Sequence, residues 1–478
     1  MKDYPHPLIS AIPIIVLIGL LITVISLFGS DSLTGGSQVA LLLGTAVCVT
    51  ISMTVYRISW HTFEKQIMKT IGNVSITLVI LLAVGMVSGS WMISGVVPTL
   101  IYYGVQIMSP QFFLVSACII CALVSVLSGS SWTTIATIGV ALLGISHALG
   151  ISEAWAAGAI ISGAYFGDKM SPLSDTTILA SSATGVDLFE HIRYMVITTV
   201  PSICIAMMVY LIAGFFIEPE KAISISVYTS ALESKFNLSA WLFIVPVVTA
   251  YMIYKRMPAI IVLFASSLLA AIFAILFQPH ILAEIVGSND TSVETLFKGA
   301  MLSGFGSTSV DTGNAPVNDL LATRGMKGML STIWLILCAI CFGGALKASG
   351  ILMNIVSLII PLTKTRFGLV SSTVLSGLFF NTTVSDQYLS IMLDSSMFKE
   401  IYKREGYESR LLSRSIEDSC TVTSVLIPWN TCGMTQATVL NVSTLIYLPY
   451  CIFNILCPIM SITIAAIGYK IKHHELLN

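Results

Sequence analysis

Apolar runs long enough to cross a bilayer recur along all 478 residues, and this recurrence fixes the fold class before any single motif is considered. A helix needs about 20 mostly apolar residues to span the hydrocarbon layer. Only 10% of the residues are charged and 55% are hydrophobic, whereas soluble domains carry about 25% charged residues. The expectation is an all-α polytopic membrane protein with about 11–13 transmembrane helices, counting broken ones once. A net charge of −1 leaves no polybasic face, which excludes nucleic acid as a partner and leaves the lipid bilayer as the obligatory one.

The first apolar run follows a single Lys2, lacks a small-x-small cleavage signal, and reads as a retained helix. The connector 28–37 has no Lys or Arg, whereas 57–69 carries Arg57, Lys65 and Lys69. By the positive-inside rule the N-terminus and the 57–69 segment are cytoplasmic, which suits a multi-pass protein of the cytoplasmic membrane. Ile58, Trp60, Phe63 and Ile67 suggest an amphipathic helix at the interface. A polar connector over 218–238 divides the chain into a first half, 1–217, and a second, 239–478. Asp187 to Tyr194 reads as a short polar link before a span over 195–217, and 278–322 as a connector or an entrance gate. The C-x-x-C pairs Cys118/Cys121 and Cys338/Cys341 sit in apolar runs without a nearby histidine, so core packing is their expected role. No histidine is expected deep in a span, which leaves haem ligation and metalloprotease chemistry unsupported.

One stretch stands out chemically, Gly163-Ala-Tyr-Phe-Gly-Asp-Lys-Met-Ser-Pro-Leu-Ser-Asp-Thr-Thr177. An ionised side chain at the bilayer centre costs roughly 2.5–3.5 kcal/mol, so Asp168, Lys169 and Asp175 within apolar surroundings mark an ion or substrate path. Pro172 has no N–H and is expected to leave the Asp168 carbonyl free. That carbonyl, two carboxylates and nearby hydroxyls would make an oxygen-only cradle of the kind that interrupted transporter helices offer alkali cations. The competing structural role is that Asp168 and Asp175 only cap two helices at the membrane surface. A second polar break, Ser128-Gly-Ser-Ser-Trp-Thr-Thr134, interrupts the run 112–149. Its hydroxyls either line an unwound turn or bond back to carbonyls in an intact helix.

The chain also resembles itself at an offset of roughly 250 residues. Residues 86–95 resemble 341–350, 128–134 fall near 376–386, Gly167-Asp168 near Glu417-Asp418, and 172–177 near 428–433. The loop 146–153 has no Lys or Arg, but its counterpart 399–414 carries five such residues. Opposite charge bias at equivalent loops predicts two inverted structural repeats with interrupted helices; Arg324 and Lys327 run against that assignment. Breaks paired across a pseudo-twofold would bring Asp168 and Asp175 together with Asn381, Thr382, Thr383, Asp386, Asp418 and Asn430.

The stretches 163–177 and 128–134, with Leu320-Leu-Ala-Thr-Arg-Gly-Met326 and Pro428-Trp-Asn430, resemble the NhaC-type sodium/proton antiporter family, which includes MleN-like malate/lactate exchangers. The similarity runs over nearly the whole chain. That family usually has two glycines and a methionine after the arginine, where this chain has Arg324-Gly-Met326. The resemblance implies Na+/H+ antiport by alternating access, with no cofactor beyond the transported ions. On this expectation the cation- and proton-binding residues are Asp168, Asp175, Thr176, Thr177, Asp386 and Asp418, with Na+ held at Asp175, Asp168 and Asp386. The residues expected to line the site are Ser128, Ser130, Trp132, Thr133, Thr134, Lys169, Asn381, Thr382, Thr383, Trp429, Asn430 and Thr431. Lys169 either neutralises an aspartate in the empty state or snorkels outward. Na+/H+-coupled exchange or symport of a small organic anion such as malate or lactate, or of an amino acid, is the alternative, weakened by a shortage of buried arginine. A membrane-embedded enzyme lacks a histidine to activate its serines, and a passive channel would show no strict coupling. A homodimer is compatible with the sequence.

Overall fold

The computed structural model describes residues 7–28, 35–216, 225–255, 257–352, 354 and 363–472. Among the described residues its elements are α-helices with short 3-10 and π segments, and one isolated antiparallel bridge, Thr308 to Thr323. In order they are α1 (Pro7–Phe28), α2 (Gly36–Thr54), α3 (Trp60–Ile93), α4 (Val96–Ile107), α5 (Pro110–Ser128), α6 (Ser131–Ala148), α7 (Glu153–Met170), α8 (Asp175–Thr184), α9 (Leu188–Phe216), α10 (Ile225–Lys235) and α11 (Ala240–Tyr254). The chain continues through α12 (Ala259–Phe277), α13 (Pro279–Val286), α14 (Val293–Phe305), α15 (Ala315–Leu321), α16 (Gly325–Ser349), α17 (Arg366–Thr383) and α18 (Gln387–Arg404). It ends with α19 (Ser409–Ile416, extended by a π turn, Glu417–Thr421), α20 (Thr431–Leu440), α21 (Thr444–Tyr450) and α22 (Ile452–Ile467).

Among the described residues eight helices are long and apolar enough to span a membrane, or up to ten if each of two bent pairs is one span. The sequence count of about 11–13 is higher; α7, α17 and α18 are not among the eight. Each of these has 18 residues, with buried polar side chains that lower its hydropathy. Two local expectations change. The interfacial segment is not a separate helix but the first turns of the 34-residue α3, with Phe63 buried and Trp60 exposed. The polar link 187–194 is the start of α9, where Asp187 Oδ1 accepts the N–H groups of Phe189 and Glu190 at 3.0 and 3.1 Å. The connector 218–238 lies partly outside the described residues, and its described part includes α10. The 306–324 region folds back through the Thr308/Thr323 bridge and packs near α3, where a Cβ on Gly89 would sit 3.5 Å from Thr323 Oγ1.

Among the described residues α5 and α7 form the most extensive helix pair. Glycines permit it: a Cβ on Gly163 would lie 2.1 Å from the Cys118 carbonyl oxygen, and one on Gly167 2.5 Å from that of Ala122. Small residues that let backbones approach are how membrane helices associate without a hydrophobic drive. Gly163→Ala is therefore expected to separate α5 from α7 and to lower the melting temperature in detergent. Unchanged melting would contradict this close contact.

The helix boundaries repeat with a constant step. Pro110 and Arg366 open α5 and α17, Ser131 and Gln387 open α6 and α18, and Glu153 and Ser409 open α7 and α19. α8 and α20 agree at both ends, 175 with 431 and 184 with 440. Every one of these pairs is 256 residues apart. Left-handed residues follow the same step: Gly129 with Ser385 (φ 67° and 63°), Gly150 with Gly406 (71° and 72°), and Gly185 with Asn441 (79° and 55°). Packing is reciprocal as well, since α8 contacts α18 and α20 contacts α6. The sequence alignment of Asp168 with Asp418 is out of this register, which pairs Asp168 with Ser424 instead.

Candidate ion-binding site

The breaks predicted at 128–134 and 163–177 both form, and they cross. α5 stops at Ser128, Gly129 turns the chain in the left-handed region, and Ser130 caps α6 by accepting the Thr133 N–H at 3.2 Å. α7 stops at Met170, and α8 starts at Asp175. The two turns touch: Ser171 Oγ donates to the Val126 carbonyl at 2.8 Å, and a Cβ on Gly129 would lie 2.7 Å from the Leu173 carbonyl. The Asp168 carbonyl is not free, because it accepts from Ser171 N–H at 3.3 Å and from the Thr177 hydroxyl at 3.4 Å. Thr177 also donates to the Lys169 carbonyl at 3.1 Å, so its hydroxyl closes the end of α7.

The Asp168 carboxylate is almost fully buried at this crossing. Oδ2 accepts Ser131 Oγ at 2.7 Å and Ser131 N–H at 3.3 Å, while Oδ1 accepts Ser174 Oγ at 2.6 Å. Ser174 in turn is 2.9 Å from Thr176 Oγ1. Asp175, the first residue of α8, is exposed. Both carboxylates line a cavity of about 400 Å³ with Ser128, Ser130, Trp132, Ser174 and Thr176. Ile76 and Ile80 of α3 and residues 257–260 before and in α12 supply an apolar wall. From the second half come Gln387 and Tyr388, which the sequence expectation missed. The 256-residue step places them on Ser131 and Trp132, a signal that the weaker offset of roughly 250 concealed. Thr133 and Thr134 are buried and bond to Ser130 in the turn, where they shape the break.

The other predicted residues assemble at a second crossing, formed where α17 gives way to α18 and the 427–430 turn gives way to α20. Asp386 caps α18, its Oδ1 accepting Leu389 N–H at 3.0 Å and its Oδ2 accepting Thr431 Oγ1 at 3.3 Å. Asn430 Nδ2 donates to the Asn381 carbonyl at 3.0 Å, and Trp429 Nε1 donates to that of Thr382 at 2.7 Å. Asn381 Nδ2 donates to the Cys420 carbonyl at 2.7 Å. Thr382 and Thr383 bond back to carbonyls of α17 at 2.8 and 2.7 Å. This group does not line the cavity. Backbone demands differ between the crossings, since serine at φ 63° is strained where glycine at 67° is not. Left-handed backbone costs an L-residue roughly 1–2 kcal/mol. Gly129→Ala should thus lower thermal stability, and Ser385→Gly should leave it unchanged or raise it. The reverse order of melting temperatures would refute the assignment.

Lys169 neither snorkels outward nor enters the cavity. It is fully buried and ion-paired with Asp418, which also accepts Thr198 Oγ1 at 3.1 Å. The other Asp418 oxygen lies 3.8 Å from Arg414 Nε, and the Arg414 guanidinium rests 5.0 Å from the Tyr194 ring centre. Glu417 is buried beside them. Arginine is therefore not missing from the interior, but Arg414 is absent from the cavity lining. His191, in the first turn of α9, is buried as well, with Nδ1 2.8 Å from Ser413 Oγ.

A multi-pass helical protein whose broken helices cross around a carboxylate-lined cavity has the build of a secondary transporter. Residues 163–469 match the Na+/H+ antiporter family. The chain is 36% identical over 423 residues to the Na+/H+ antiporter NhaC of Alkalihalophilus pseudofirmus, covering 88% of each chain. It is 32% identical to the malate-2H+/Na+-lactate antiporter of Bacillus subtilis, over 94% of this chain and 92% of that one. It is also 32% identical to the arginine/ornithine antiporter ArcD of Halobacterium salinarum, over 96% of this chain and 91% of that protein. The chain belongs to the Na+/H+ antiporter family.

Proposed function

We propose that this protein exchanges Na+ for H+ across the cytoplasmic membrane by alternating access, with the sodium ion and protons competing for Asp168 and Asp175. The observation that carries this reading is the charge of the cavity lining, which among the described residues holds two carboxylates and no Lys or Arg. Two carboxylates facing one space favour either a cation or a shared proton, since each raises the cost of ionising the other. Hydroxyls of Ser128, Ser130, Ser174 and Thr176 add neutral oxygen ligands suited to a hard cation. An organic anion would enter against both carboxylates with no side-chain cation to meet it, which disfavours exchange of malate or lactate. The basic segment 57–69 supports a cytoplasmic N-terminus.

Purified protein in liposomes with a trapped pH dye tests the reading. Na+ added outside should alkalinise the lumen, Na+ loaded inside should acidify it, and malate, lactate or amino acids should change neither rate. Proton movement only when an organic solute is present would replace this reading with solute exchange.

A further inference from the structure

A second cavity, of about 680 Å³, lies away from the ion site at the N-terminal end of α9. Arg193, Arg410 and Lys470 line it together with Glu190 and Tyr194, and Val196 and Ile197 supply its apolar part. Glu190 is matched by Arg410, whose Nη1 donates to it at 3.2 Å and whose guanidinium lies 4.8 Å from the Tyr194 ring centre. Arg193 and Lys470 are exposed, and neither pairs with a carboxylate among the described residues. The backbone holds Lys470 in place: it sits at φ 54°, in the left-handed region that L-residues avoid, and its carbonyl accepts Tyr194 Oη at 3.1 Å. The cavity stands at the edge of the bilayer. α9 has 29 residues and rises about 43 Å, more than the roughly 30 Å hydrocarbon layer. With its apolar run 195–216 filling that layer, Leu188 to Tyr194 lie among the headgroups. Val196, Val200, Cys204, Met208, Leu211 and Phe215 are exposed at steps of three or four residues, so an apolar track runs from the cavity along α9 into the lipid.

We propose that this pocket binds one anionic phospholipid of the cytoplasmic leaflet, with its phosphodiester between Arg193 and Lys470 and an acyl chain on the exposed apolar track of α9. Two unmatched cations facing one open space at headgroup depth suit a phosphate, and basic pockets between membrane helices on the cytoplasmic side recognise such headgroups. The track favours a lipid over a free phosphate, which would leave it unused. The bordering connector 399–414, with five Lys or Arg, has the charge bias of the cytoplasmic face. A headgroup held there ties α9 to α19 and to the end of α22, so binding stabilises the fold.

Delipidated protein in detergent is titrated with phosphatidylglycerol, phosphatidylcholine, glycerol 3-phosphate or inorganic phosphate. Native mass spectrometry counts bound lipid, and the melting temperature is followed alongside. Phosphatidylglycerol should fill one preferred site and raise the melting temperature, whereas phosphatidylcholine and the two soluble phosphates should not. Arg193→Gln or Lys470→Gln should weaken that binding about fivefold, and the double variant roughly thirtyfold. Lys403→Gln, an exposed change on the same face outside the cavity, should leave it unchanged. Both pocket cations are exposed, so the lipid-free variants should melt as the wild type does. No preference of the wild type for phosphatidylglycerol, undiminished binding in the double variant, or equal weakening by Lys403→Gln overturns the proposal. Equal stabilisation by glycerol 3-phosphate or inorganic phosphate would make this a soluble-phosphate site and overturn the lipid assignment.

Discussion

Asp168→Asn should abolish Na+-driven proton flux while leaving the chain folded. The fold tolerates the change because the partners of the carboxylate adapt: Ser131 and Ser174 contribute hydroxyls at 2.7 and 2.6 Å, and a hydroxyl can accept from an amide as readily as it donates to a carboxylate. The Ser131 N–H can still meet the amide oxygen. Charge is what disappears. At 4 Å and an effective dielectric constant of 20, a unit charge pair is worth about 4 kcal/mol, or roughly three orders of magnitude in affinity for a bound cation. Asp175 is exposed at the start of α8, where water screens it, so Asp175→Asn should weaken apparent Na+ affinity by less, about tenfold. Initial dye rates against Na+ concentration give both numbers, and circular dichroism with size exclusion checks folding. A folded Asp168→Asn variant with near wild-type flux would remove Asp168 from the site.

The first crossing was legible because its chemistry is local. Pro172 and the hydroxyl-rich 128–134 stretch announce breaks in otherwise apolar runs, and a charged residue beside a break announces a path. What lines the far side of the cavity was not legible. Gln387 and Tyr388 carry no charge, and only the 256-residue step, which appears in φ angles and helix ends more clearly than in residue identity, connects them to Ser131 and Trp132. Ser385 shows why identity hides the step, since it holds the left-handed position that glycine holds at 129. Lys169 misled for a different reason. Adjacent helix residues point about 100° apart, so Asp168 faces the cavity while its neighbour faces the second half of the protein. Long-range pairing between Lys169 and Asp418 has no signature in a single sequence.

Asp418→Asn is expected to destabilise the protein far more than the joint replacement of Lys169 and Asp418. Both side chains are fully buried, and the pair ties the end of α7 to the π turn after α19, with Thr198 of α9 also donating to Asp418. Removing one member of a buried pair leaves the other desolvated and uncompensated, at about 3–5 kcal/mol, whereas replacing both with neutral groups is often near neutral. Arg414, 3.8 Å from the second Asp418 oxygen, softens the first loss by keeping one cation beside the carboxylate. Asp418→Asn alone should be the more severe of the two single changes, because it leaves Lys169 and Arg414 buried together with Glu417 as the nearby carboxylate. Melting temperatures in detergent for both single variants and the Lys169→Met/Asp418→Asn double variant close the cycle, and a positive coupling should appear as a double variant more stable than Asp418→Asn. Additive losses would show that the pair does not act as a unit. Transport then separates support from chemistry: a double variant that melts normally and still exchanges Na+ for H+ makes Lys169 a strut behind Asp168, and one that melts normally but is silent makes the pair part of the moving machinery.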